Sequence, residues 1–174
     1  MEIWMKDKVK NGRYVDALGA VYWYKDGLFH REDGPALEWA DGSKEWYLNG
    51  ELHREGAPAV ENPDGSKHWF LNGQRHRLDG HAIERRDGSK VWYINGKLHR
   101  EDGPAIECAS GDKYWHLNGE RHREDGPAIE WADGSKAWFL NGVEYTEELF
   151  DKYLLNKKLH QTLEEKPLIK IVKI

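Results

Sequence analysis

A histidine with an aspartate three residues on, as in His30 and Asp33, is a familiar pairing for proton transfer or metal ligation, and His53, His76, His99 and His122 follow at a constant 23-residue spacing. That regularity argues against both chemistries. Equivalent residues in successive units of a β array lie roughly 10 Å or more apart, whereas the ligands of one zinc each sit about 2 Å from the metal. Five alike sets would also mean five alike active sites. The histidines and aspartates are therefore assigned to turn-stabilising hydrogen bonds. No phosphate-cradling glycine loop, Gly-x-Ser-x-Gly elbow or Cys-x-x-Cys pair is present. Cys108 takes the place held by Trp39 and Trp131, a substitution at a half-exposed site. Neither enzyme activity, nor a metal, nor a cofactor is expected.

What the units do differently carries more information than what they share. Two lines of positions vary: Trp39, Asn62, Arg85, Cys108, Trp131, and Glu45, His68, Val91, Tyr114, Ala137. Varied side chains held in register on a rigid array are how repeat scaffolds display a recognition surface; drift at exposed sites would leave the same trace. Trp39, Arg85, Tyr114 and Trp131 are the candidate binding residues, because aromatic and arginine side chains dominate interface energies. Phe150 and Tyr153, near the C-terminus, join them.

The unit that must position these residues reads His30-Arg31-Glu32-Asp33-Gly34-Pro35-Ala36-Leu37-Glu38-Trp39-Ala40-Asp41-Gly42-Ser43-Lys44-Glu45-Trp46-Tyr47-Leu48-Asn49-Gly50-Glu51-Leu52. Five units fill residues 30–144, preceded by a partial unit and N-terminal cap (1–29) and followed by a C-terminal segment (145–174). Asp-Gly and Asn-Gly between β-rich runs signal two-residue type I′ hairpins, and Asp33-Gly34-Pro35 a third, longer turn. The expected fold is all-β: an elongated antiparallel meander of three strands per unit, advancing roughly 10 to 15 Å per unit, with a C-terminal capping helix. A two-residue turn at Asp41-Gly42 places Leu37 opposite Trp46 and Trp39 opposite Lys44, on an apolar face where the tryptophans are core. The other face carries Ala36, Glu38 and Tyr47, with Glu38 across from the Glu45 position, itself paired with the Arg54 position.

After Tyr145 the period stops. Thr146 is a helix N-cap with Glu147 and Glu148 in the first turn, and Leu149, Phe150, Tyr153 and Leu154 form an apolar stripe. A helix over 146–156 follows, continuing or restarting through 159–165, and its expected role is to cover the last sheet edge. The apolar tail Leu168–Ile174 either pairs as a final strand or makes a partner or homodimer contact.

A formal charge of −5 with evenly spread lysines and arginines excludes general nucleic-acid binding. One cysteine points to a reducing compartment. The N-terminus lacks a secretory apolar core and no stretch approaches membrane-spanning length, so a cytoplasmic location is expected.

Trp46-Tyr47-Leu48-Asn49-Gly50-Glu51-Leu52-His53 at this period resembles the MORN repeat and its bacterial, phage and giant-virus variants, over about residues 20–144. The aromatic pair, the glycine three residues before a histidine and the Asp-Gly turn match; Arg54 and Glu55 stand where that family has glycines after the histidine. The resemblance implies a β-hairpin array acting in protein or lipid recognition, and some related arrays are labelled antitoxins. Two functions are expected from these observations. The first is binding of another protein, as an inhibitor or antitoxin does. The second is sequestration of a small nucleotide by aromatic and arginine side chains. No basic or amphipathic membrane anchor accompanies the array.

Overall fold

The computed structural model describes residues 10–164. Met1–Lys8 and the tail Leu168–Ile174 lie outside the described residues. Each of the first four units contributes two two-residue strands, in the first unit Leu37–Glu38 and Lys44–Glu45, to one antiparallel sheet of fourteen strands, and in the fifth the second strand lengthens to Lys136–Leu140. A separate two-stranded hairpin, Tyr47–Leu48 with Glu51–Leu52, branches from it. The single helix α1 (Glu147–Glu164) closes the C-terminal end. The architecture is thus the expected all-β hairpin array with a C-terminal helix.

The two Gly-containing turns differ, and the difference sets every face of the sheet. Asn49 and Gly50 both take left-handed φ angles, 51° and 83°, as a two-residue I′ turn requires. At the other turn only Gly42 does, with φ 91°. The Trp39 N–H donates to the Ser43 carbonyl at 2.9 Å, so the loop has three residues, Ala40-Asp41-Gly42. The Asp41 carboxylate accepts the Ser43 N–H at 2.8 Å, a local bond that favours this tighter-wound turn. The expected two-residue turn is therefore corrected, and the register moves by one: Leu37 pairs with Glu45 and Glu38 with Lys44.

A one-residue slip sends a side chain to the opposite face. Glu45 thus shares a face with Leu37. One row runs Leu37, Glu45, Val60, His68 and onward to Ile129 and Ala137. The row on the other face alternates glutamate and lysine, Glu38, Lys44, Glu61, Lys67, through to Glu130 and Lys136.

The third strand of each unit also departs from expectation. At Trp46 the chain leaves the sheet, its N–H donating to the Ala59 carbonyl of the next unit at 2.8 Å. The sheet partner of Lys44–Glu45 on that side is Val60–Glu61, and no returning strand intervenes. Only two strands per unit lie on the sheet path, so the advance is roughly 10 Å per unit at about 4.8 Å per strand. The hairpins form a parallel track, joined by bonds such as Arg54 N–H to Phe70 O at 3.1 Å and Gly73 N–H to Leu52 O at 2.9 Å.

Five of the tryptophans carry an arginine over the ring: Arg31 on Trp23, Arg54 on Trp46, Arg77 on Trp69, Arg100 on Trp92 and Arg123 on Trp115, at 3.8–4.4 Å from the centroid. Arg54 Nη1 also donates to the Pro58 carbonyl at 3.1 Å and to Glu61 Oε1 at 2.9 Å. The expected pairing of Arg54 with the Glu45 position is thereby corrected. The arginine ties a tryptophan of one unit to the glutamate row of the next. Gly34, Gly80, Gly103 and Gly126 serve this contact, because a Cβ at Gly103 would meet Arg100 Cζ at 3.0 Å. Close approach, and not a left-handed turn, is what their glycine supplies.

The repeated histidines do hold turns, each the Asn-Gly turn of its own unit. Nδ1 of His53 accepts the Asn72 backbone N–H at 3.2 Å and lies 2.8 Å from its side-chain carboxamide; His30, His76 and His99 repeat the arrangement. Ala36, Ala59, Ala82, Ala105 and Ala128 are fully buried, the tightest points of the array. Thr146 caps α1 by accepting the Leu149 N–H at 3.3 Å. Phe150, 1% exposed, docks the helix, and Lys157 pairs with Glu124 of the last unit at 2.6 Å.

Candidate recognition surface

The corrected register brings the two variable lines together. Trp39 and Glu45, which a two-residue turn would separate to opposite faces, are hydrogen-bonded: the indole Nε1 donates to Glu45 Oε1 at 2.9 Å, and Tyr47 Oη to Glu45 Oε2 at 2.9 Å. The same face therefore displays, unit by unit, Trp39 with Glu45, Asn62 with His68, Arg85 with Val91, Cys108 with Tyr114, and Trp131 with Ala137. The varied positions line one strip.

Its chemistry changes along its length. At the N-terminal end, Tyr22, Phe29, Trp39 and Tyr47 form an aromatic cluster with neighbouring centroids 5.4–6.3 Å apart. Burial and the Glu45 carboxylate together raise the Tyr47 hydroxyl far above its usual range. In the second and third units the strip is cationic. Arg75 lies over Phe70 at 5.2 Å and Tyr93 at 5.8 Å. His68, Arg85 and Arg86 line an open cleft of about 500 Å³ with Asp64, Ser66 and Asp87. Burial, then Arg75 and Arg85, hold the His68 imidazole below its ordinary range, so it is neutral at pH 7.

The far end is aromatic again. Tyr114 bonds to Trp131, and its hydroxyl is raised chiefly by burial. His116, 8% exposed, is kept neutral by burial and by Arg121, and its Nδ1 has no hydrogen-bond partner among the described residues. The Cys108 thiol is raised, first by burial and then by Asp112, the reverse of what a nucleophile needs.

Of the candidate residues, Trp39 and Trp131 are 38% and 37% exposed, Arg85 is exposed and Tyr114 half-buried, all on this strip. Phe150 has its side chain enclosed where the helix docks. Tyr153, half-buried with its ring 6.2 Å from Phe150, belongs to the same docking contact. Sequence reasoning missed Arg75 and Arg121, each packed over an aromatic of the strip. The signal was available: the positions of Leu52, Arg75, Leu98 and Arg121 form a third varied line.

Among the described residues no group of three or more His, Cys, Asp or Glu is placed to hold a metal ion. No helix among them is long and apolar enough to cross a membrane. Compared with known proteins, the chain matches no family profile, and no curated protein matches it at a significant level.

Proposed function

We propose that the chain is a non-catalytic scaffold that binds another protein along this strip, occupying the partner's surface as an inhibitor or antitoxin does. The observation that carries the reading is the placement of Trp39, Arg85, Tyr114 and Trp131 on one face. From the first unit to the fifth is four repeats, roughly 40 Å at about 10 Å each, a reach that suits a macromolecule. Aromatic groups at the two ends with arginines between them have the make-up of interface anchors.

The test is native mass spectrometry of the purified chain with and without lysate of its source. A stoichiometric protein partner is expected, lost in the Trp39→Ala/Trp131→Ala double variant and in Arg85→Glu, and kept in Lys113→Glu on the opposite face. The second reading, nucleotide sequestration, draws on Arg75 lying over Phe70 and Tyr93 beside Arg85. A retained nucleotide without a protein would establish it and overturn the first.

A further inference from the structure

Two kinds of arginine occur in this array. The frame arginines at Arg31, Arg54, Arg77, Arg100 and Arg123 each bond at least one carboxylate of their own unit, at 2.8–2.9 Å. Arg75, Arg85 and Arg86 are different. Among the described residues none of them has a carboxylate oxygen within 4.0 Å; Arg85 and Arg86 line one cleft with His68, and Arg75 acts electrostatically on that same His68. Asp64 and Asp87, which line the same cleft, accept the backbone N–H groups of Ser66 and Ser89 at 2.8 Å and feel Arg86 and Arg85 only across a longer gap.

We propose that this cleft takes a carboxylate-bearing segment of the partner protein, with Arg85 and Arg86 in its wall and Arg75 beside it, next to His68. The inference deepens the reading of the strip as a protein-binding surface and rests on it. Three guanidinium groups with open donors complement carboxylates, which they can grip through paired N–H bonds. His68 stays neutral between them and adds a donor without adding charge. Phe70 and Tyr93 lie beneath Arg75, limiting its rotamers and supporting its charge. The lining favours carboxylate over phosphate. Asp64 and Asp87 also line the cleft, so a dianionic phosphate meets more repulsion there than a singly charged side chain, and an extended segment can set its acids over the arginines while its amides face the aspartates.

The experiment titrates the full chain, isotopically labelled, with a hexaglutamate peptide, with hexalysine and with ADP, following arginine Nε–H signals by NMR. Hexaglutamate is expected to shift Arg75, Arg85 and Arg86 selectively, with a salt-dependent affinity that Arg85→Glu and Arg75→Glu each reduce about tenfold or more; Lys113→Glu on the far face leaves it unchanged. Unshifted arginines at millimolar peptide overturn the inference, as does ADP binding as tightly as hexaglutamate. Circular dichroism on each variant establishes that the array is intact. The two readings fail separately: loss of peptide binding leaves partner capture through Trp39 and Trp131 standing, whereas peptide binding without any protein partner removes the wider function alone.

Discussion

Arg100→Ala tests the device that joins one unit to the next. The guanidinium lies 4.0 Å above the half-buried Trp92 ring, a contact worth about 1 kcal/mol at this exposure. Nη1 donates to the Pro104 carbonyl at 3.2 Å, about 1 kcal/mol net. The 2.8 Å bond to Glu107, with side chains 21% and 38% exposed, adds about 0.5 kcal/mol after solvent screening. Asp102 is solvated and adds nothing to the count. The expected loss is therefore about 2.5 kcal/mol, or roughly 5–10 °C in Tm for a chain of this size. Urea unfolding followed by tryptophan fluorescence reads it directly, and hydrogen exchange should localise it to the third to fifth units, since a repeat contacts only its neighbours. Arg100→Lys keeps the charge but loses the planar face and the two-acceptor fork, and should recover less than half of the loss. If lysine restores full stability, simple charge explains the contact and the stacked-fork account fails.

Five further outcomes follow from the same geometry. Asn95 sits at φ 49°, so Asn95→Gly should be nearly neutral and Asn95→Val should cost about 1–2 kcal/mol by urea titration. Ala105 is fully enclosed; Ala105→Leu should cost about 1–3 kcal/mol or more from overpacking, while Ala57→Gly at the half-buried loop changes little. Asp41, Asp64, Asp87 and Asp133 are held below the ordinary 3.8 by the serine groups they accept from, so their contribution is complete above that pH and is lost as pH falls below 3.8. His68 and His116 are held below 6.5; the unfolded chain takes up protons they refuse, stability falls as pH drops from about 7 to 5, and His116→Phe should flatten that slope in melts across the range. Lys157→Ala removes the 2.6 Å tether to Glu124, an exposed pair weakened by solvent screening, and should raise exchange in α1 before any change in the sheet.

Much of the fold was legible in the chain because a period repeated five times averages out local ambiguity. Asn49-Gly50 named its turn type, and Thr146 marked the helix start. The surface residues Trp39, Arg85, Tyr114 and Trp131 stood out because they vary against a constant frame. The Asp41-Gly42 turn was less legible, since both two- and three-residue loops accept that dipeptide and only the Asp41 bond to Ser43 selects between them. The arginines were less legible still. Arg54 and Arg75 are the same residue type, yet one is locked over Trp46 with Glu61 and the other lies over Phe70 and Tyr93 with no carboxylate oxygen within 4.0 Å among the described residues.

The residue order by itself determined that this protein is a tandem β-hairpin array with a helix at its end, because turn chemistry and period are local properties. The tertiary structure alone decided which side chains share a face. Side-chain direction in a strand alternates with every residue, so one extra loop residue moved Glu45, His68 and Tyr114 beside Trp39, Arg85 and Trp131 and turned two separate lines into a single surface.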